Sequence, residues 1–103
     1  MEGLEELCPT SIFAHKLGGK WKLAIIYNLR NRSLRFGQLA TLVEGISRKV
    51  LTEHLRQMEE DKLIIRTVYK EVPPKVEYEL TEAGQDLIPL FQKIDAWVRK
   101  HYA

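Results

Sequence analysis

Between residues 47 and 56 the chain reads "SRKVLTEHLR", and five of these side chains suit an anionic, hydrogen-bonding partner. Arg48, Lys49 and Arg56 are cations that can donate to guanine edges or to phosphate oxygens, and Thr52 can meet a base or its methyl group. Ser47 stands at the front, where its hydroxyl and the first free N–H groups of a helix could hold a phosphate. Any wetted helix face also carries charge, so residue types alone do not decide between a reading surface and a solvated one. The elements that hold these side chains decide it.

At about 100° per residue, Leu51, Leu55 and Met58 share one side of a helix. Lys49, Glu53 and Arg56 fall opposite, with Thr52 on the flank. Glu59, Glu60 and Asp61 close the far end, so the basic residues occupy the leading end. Ser47 is the expected N-cap of this helix, which spans about 47–61, and Ile46 can staple onto Val50 or Leu51. Upstream, "FGQLATLVEG" predicts a helix with Phe36, Leu39, Leu42 and Val43 inward and Gly45 as its stop. A helix, a tight turn at "EGI" and a second helix make the sequence outline of a helix-turn-helix.

The periodicity then changes. "LIIRTVYKEV" is rich in strand formers, "EVPPK" cannot continue a ladder, and "KVEYEL" alternates apolar with charged residues. Two strands around a proline-containing turn make a hairpin. Thr81 is the expected cap of a last helix over about 81–102, with Leu87, Phe91 or Leu90, Ile94, Trp97, Val98 and Tyr102 as its apolar stripe. Pro89 lies within that stripe and is expected to kink or split the helix. Toward the start, Pro9 suits the first turn of a short helix over 9–17, which Gly18 and Gly19 break. Trp21, Ala24, Ile25, Ile26 and Leu29 give the next helix a broad apolar face, and "SLRF" at 33–36 reads as a very short extended segment.

The order α-α-α-α-β-β-α gives an α+β, mostly α fold. A hairpin directly after the second helix of a helix-turn-helix defines a winged helix-turn-helix with a two-stranded wing, here over about 66–80. In that layout the leading end of helix 47–61 enters the major groove of DNA. Lys70 and Lys75 are expected near the wing tip, within reach of phosphate or the minor groove. The same lysines serve equally well as charges that protect a strand edge from aggregation. Arg66 flanks "EVPP" together with these lysines and makes the hairpin a second basic patch, and Arg35 is a further phosphate candidate.

Composition bounds the remaining classes. The 103 residues fit one domain, 1–103, and 45% hydrophobic with 29% charged residues is a globular balance. A net charge of +2 is too mild to prove a nucleic-acid partner, so the placement of the charges carries the weight. No apolar run has the length of a membrane span, and the acidic "MEGLEELCPTS" lacks the features of a secretory signal, which makes the cytoplasm the expected location. His15, His54 and His101 lack metal-ligand spacing, "LGGKW" lacks the spacing of a phosphate loop, and no catalytic constellation can be built. No cofactor, metal or enzymatic activity is expected.

The segments "CPTSIFAHKLGGKWKLAIIYNL", "LRFGQLATLVEGISRKVLTEHLRQMEEDKLIIRTVY" and "EVPPKVEYELTEAGQDLIPL" resemble the HxlR-type branch of the MarR-like transcriptional regulators, from Cys8 to Trp97. The resemblance implies a homodimeric bacterial or archaeal regulator that binds inverted-repeat operators, represses or activates nearby genes, and often responds to reactive small molecules. It makes Ser47–Asp61 the reading helix and places the dimer surface on the first and last helices. The long C-terminal stripe, with Ile12 and Leu17 as apolar partners, supports that surface independently, the alternative being that all these side chains pack within one chain. A two-fold dimer would set two reading helices about 34–36 Å apart.

Cys8 precedes Pro9 near a helix start, where thiols can have lowered pKa and raised reactivity. The resemblance extends to a branch whose N-terminal cysteine senses quinones, aldehydes, hypochlorite or disulfide stress. Members often use a second cysteine in the partner subunit, and this sequence has Cys8 alone. Oxidation must then give a Cys8–Cys8′ bridge, a mixed disulfide or an alkyl adduct. Glu5 and Glu6 would oppose the thiolate, and Lys16 or Lys20 would favour it if close. A buried cysteine acting as a small hydrophobe is the plain alternative. Two further alternatives stand beside the DNA reader: a winged-helix protein–protein module, and a regulator that holds a non-covalent small molecule between its dimer helices and winged part.

Overall fold

A computed structural model describes residues 8–102. The elements are α1 (Pro9–Leu17), α2 (Trp21–Asn28), β1 (Leu34–Arg35), α3 (Phe36–Leu42), α4 (Arg48–Glu60), β2 (Ile64–Tyr69), β3 (Lys75–Leu80) and α5 (Glu82–Tyr102). This is a mostly helical α+β winged helix-turn-helix: α3 and α4 form the helix-turn-helix, and β2 with β3 forms the wing.

Local chemistry sets the boundaries. Pro9 opens α1, where its missing N–H has no intrahelical partner to lose. Gly45 turns the chain between α3 and α4 at φ +88°, a conformation most side chains disfavour. Ser47 is extended, and its Oγ accepts from the Val50 N–H at 3.1 Å, the expected N-cap. Thr81 Oγ1 accepts from the Gly84 N–H at 3.1 Å and donates to the Lys62 carbonyl at 2.7 Å. One hydroxyl therefore caps α5 and ties it to the turn between α4 and β2.

Pro89 does not split α5, which runs from Glu82 to Tyr102 without interruption. Pro89 is exposed, so the N–H that it lacks belongs to the solvent side of the helix. The wing gains a third strand. The sheet order is β1-β3-β2, with Leu34 opposite Tyr78 and Arg35 opposite Glu77. Two residues are too few to show a strand period in sequence. The hairpin is antiparallel, from Ile64 opposite Leu80 to Tyr69 opposite Lys75.

The core lies where α4 meets α2, α3 and the sheet. Leu51, Leu55 and Met58 are 0%, 2% and 0% exposed, beside Ile25, Ile26, Leu29, Leu39, Ile64, Tyr78 and Phe91. Leu42, expected inward, is 46% exposed. It ends the seven-residue α3, whose inward face is carried by Leu39 and Val43 instead. Gly84 has no room for a side chain: a Cβ there would run into the Leu63 carbonyl and the Leu80 side chain. Lys22 is buried and donates to the Lys16 carbonyl at 3.2 Å, which places an ammonium on the last turn of α1. Lys16 pairs with Asp61 at 3.1 Å and so fastens α1 to the rear of α4. The front of α4 stays open.

Among the described residues no helix is long and apolar enough to cross a membrane, and no group of three or more His, Cys, Asp and Glu is placed to hold a metal ion.

Candidate nucleic-acid interface

Ser47, Arg48, Lys49 and Thr52 are brought together at the exposed leading end of α4. Because Ser47 Oγ accepts from Val50, its own O–H remains available as a donor. The Arg48 guanidinium carbon sits 5.4 Å from the Phe36 ring centroid, a cation–π contact that sets this cation at the seam between α3 and α4. The Thr52 hydroxyl donates to the Arg48 carbonyl at 2.8 Å. Its donor is thus engaged, which leaves a methyl group and acceptor lone pairs for a partner. Lys49 is exposed and makes no ion pair among the described residues.

Arg56 stands one turn beyond Thr52, about 12 Å further along the axis than Arg48. Its guanidinium donates to Glu60 Oε1 at 2.8 Å, with the two side chains 61% and 63% exposed. A wetted pair of this spacing contributes only about 0.2–0.5 kcal/mol, so a stronger anion can displace Glu60. Arg56, Thr52 and the exposed Arg66 of β2 line one cleft between α4 and the wing. Arg66, expected from sequence in the basic patch of the hairpin, lies two residues after the buried Ile64 on the same strand face, which turns it toward α4.

The two wing lysines differ. Lys70 is exposed at the end of β2. Lys75 begins β3, its ammonium 3.7 Å from Glu71, 3.8 Å from Glu77 and 4.6 Å above the Tyr69 ring. Its charge is largely answered within the wing. Val72, 102% exposed in the "EVPP" turn, is an apolar tip residue that attention to charge missed. Arg35 is exposed on β1 and is the N-cap residue of α3, with its backbone N–H donating to Gln38 Oε1 at 2.8 Å. His54, expected on the flank of α4, is half-buried, and its Nδ1 has no hydrogen-bond partner among the described residues.

Cys8 is exposed immediately before α1, with Sγ 3.1 Å from Ser11 Oγ. The Ser11 hydroxyl, followed by the backbone N–H groups at the start of α1, holds the thiol below its ordinary pKa. The cations expected to help are engaged elsewhere, Lys16 with Asp61 and Lys20 over the Trp21 ring at 4.5 Å. Glu5 and Glu6 lie outside the described residues.

The far half of α5 is uncovered. Leu90, Ile94, Trp97, Val98 and Tyr102 are 50%, 49%, 54%, 43% and 74% exposed. Pro9, Thr10 and Phe13 of α1 face Leu90, Lys93 and Ile94 across an open apolar groove of about 420 Å³.

This geometry has close counterparts. The uncharacterised HTH-type transcriptional regulator YdeP of Bacillus subtilis is 42% identical over 96 residues, which cover 93% of this chain and 75% of YdeP. A solved structure described as a MarR-family transcriptional regulator of Porphyromonas gingivalis superposes with a TM-score of 0.85 at 36% identity, covering 95% of each chain. The redox regulator HypR in its oxidised form superposes with a TM-score of 0.83 at 35% identity, covering 93% of this chain and 99% of that one. The model of the HxlR-like helix-turn-helix family matches residues 16–103, and the chain accordingly belongs to that family, as a helix-turn-helix transcriptional regulator rather than an enzyme.

Proposed function

We propose that this regulator acts in the cytoplasm as a homodimer on an inverted-repeat DNA operator. The leading end of α4 enters the major groove, and the wing reaches the flanking backbone and minor groove. One observation carries the reading: Ser47, Arg48, Lys49 and Thr52 share one exposed helix end, while Glu59, Glu60 and Asp61 stand at the other. Arg35, Arg56, Lys70 and Lys75 extend the contact surface, with Lys75 the weakest of them because its partners compete. The uncovered faces of α5 and α1 supply the dimer surface, since a single chain leaves them wet.

Selection from random duplex DNA at two salt concentrations tests this. Enrichment of an inverted repeat with half-sites one turn apart is the expected result, with affinity that falls as salt rises. Arg56→Ala should weaken binding without loss of fold. Absence of enrichment, with only weak binding that vanishes at the higher salt, would favour the protein–protein module.

For the signal, the observation favouring thiol chemistry is Cys8 itself: exposed, at a helix start, with its pKa lowered by Ser11. The likeness to a redox regulator agrees with it. The groove between α1 and α5 is the place for the alternative, a non-covalent ligand. Cys8→Ser separates them, because an inducer response retained in that variant eliminates the thiol route.

A further inference from the structure

We propose that Arg56 and Arg66 form a phosphate clamp in the crease between α4 and the wing, and that Arg56 therefore holds the DNA backbone and does not read a base. The clamp rests on the DNA-binding reading above and assigns a role within it.

The crease is a small open cleft of about 200 Å³. Thr52, Leu55, Arg56 and Glu59 line it from α4, at spacings that share one face, and Arg66 and Tyr78 line it from the sheet. Buried Leu55 and Tyr78 make its floor, and the exposed Arg56 and Arg66 stand at its rim. Arg66 is placed by register: it pairs with Tyr78 and lies on the same strand face as the buried Ile64, the face against which α4 packs. The two guanidiniums thus come from two different elements to one cleft. The Thr52 hydroxyl donates to the Arg48 carbonyl, which leaves the two arginines as the cationic donors of the cleft.

The ligand follows from the geometry of duplex DNA. A helix in the major groove and a wing in the neighbouring minor groove stand on either side of one sugar-phosphate ridge, because that ridge separates the grooves. The ridge must then pass over the crease between helix and wing. A phosphodiester there meets two planar guanidiniums, the side chain best matched to its paired oxygens. Arg56 also stands about two turns beyond Arg48 and Lys49, in the cleft where α4 meets Arg66 of the wing. Its carboxylate partner Glu60 is wetted and displaceable, and Glu59 on the cleft wall opposes any anion.

The test uses the full chain with Arg56→Gln, Arg66→Gln and Glu59→Gln, binding a selected operator duplex and a scrambled duplex of equal length across a salt series. Each arginine variant should lose about tenfold on both duplexes alike, and the slope of log affinity against log salt should shrink by about one. Reselected half-sites should keep the wild-type bases, and Glu59→Gln should tighten both duplexes. Loss on the operator alone, with altered bases in the reselected site, would make Arg56 a base reader and overturn the clamp. Unchanged affinity and salt slope for Arg66→Gln, with wild type binding normally, would overturn it as well. A wild-type chain that binds neither duplex would sink the DNA reading itself, a result distinct from either.

Discussion

Helices α4 and α5 are both amphipathic, yet only α4 finds a full set of partners within the chain. Its apolar residues Leu51, Leu55 and Met58 are at most 2% exposed, and its polar face is the one left open. Helix α5 begins in the same way, with Gly84 and Phe91 buried, and then leaves the rest of its apolar stripe in water. In α4 the exposed face is charged, which suits a nucleic-acid ligand. In α5 it holds Ile94, Trp97, Val98 and Tyr102, which suit a protein surface. The chain thus builds one finished module whose open face is charged, and one helix whose second half stays uncovered; in the function proposed above the first meets DNA and the second meets another copy.

The largest way to break this contrast is within α4. Leu55→Ala removes a 2% exposed side chain from the junction of α4 with the sheet. It should destabilise the fold by about 2–5 kcal/mol in denaturant titration. A change below about 1 kcal/mol would mean that α4 is not held as described.

Gly84→Ala probes the anchored half of α5. A Cβ there meets the Leu63 carbonyl, which is backbone and cannot swing aside, and the Leu80 side chain. The expected loss is about 1–3 kcal/mol, despite the better helix propensity of alanine. A stabilised variant would show that α5 can shift off the sheet freely.

Trp97→Ala probes the free half. Trp97 is 54% exposed and touches only its helix neighbours His101 and Tyr102 among aromatic rings, at 5.2 and 5.4 Å. Stability of the isolated chain should move by no more than about 0.5 kcal/mol. The dimer dissociation constant, read by sedimentation, should rise about 30-fold or more, as for a buried aromatic anchor. An unchanged association state would remove α5 from the proposed dimer surface.

How much of this was legible from sequence follows the range of the interactions. Ser47 and Thr81 were readable as caps because each bonds a backbone N–H three residues away. The inward faces of α4 and β3 were readable because their periods are short. Leu42 misled because helical spacing does not tell where a seven-residue helix stops facing the core. Arg56 and Lys75 were recognisable as cations, but what each charge meets depends on rotamers and strand register: Glu60 for one, and Glu71, Glu77 and Tyr69 for the other. Arg66 was legible as one of the cations of the hairpin, but its place in one cleft with Arg56 arises only when β2 is laid against α4, a juxtaposition no local pattern encodes.

The smallest expected effect lies at Cys8, and it bears on which end of the molecule a signal reaches. Cys8 adjoins Pro9, a wall of the α1–α5 groove, and no α4 residue lines that groove. An adduct there acts first on the proposed dimer surface, leaving the reading edge of each chain intact. The thiolate is the reacting form, so alkylation of Cys8 should speed up with rising pH and level off above the thiol pKa. Because Ser11 lowers that pKa, the midpoint should fall below that of an ordinary cysteine thiol, about 8.5. Ser11→Ala removes the 3.1 Å contact, moves the midpoint back up, and slows iodoacetamide labelling at neutral pH by about two- to fivefold. Labelling kinetics identical in Ser11→Ala and wild type would remove the activation of Cys8, and would leave the groove between α1 and α5 as the place where a signal meets the dimer.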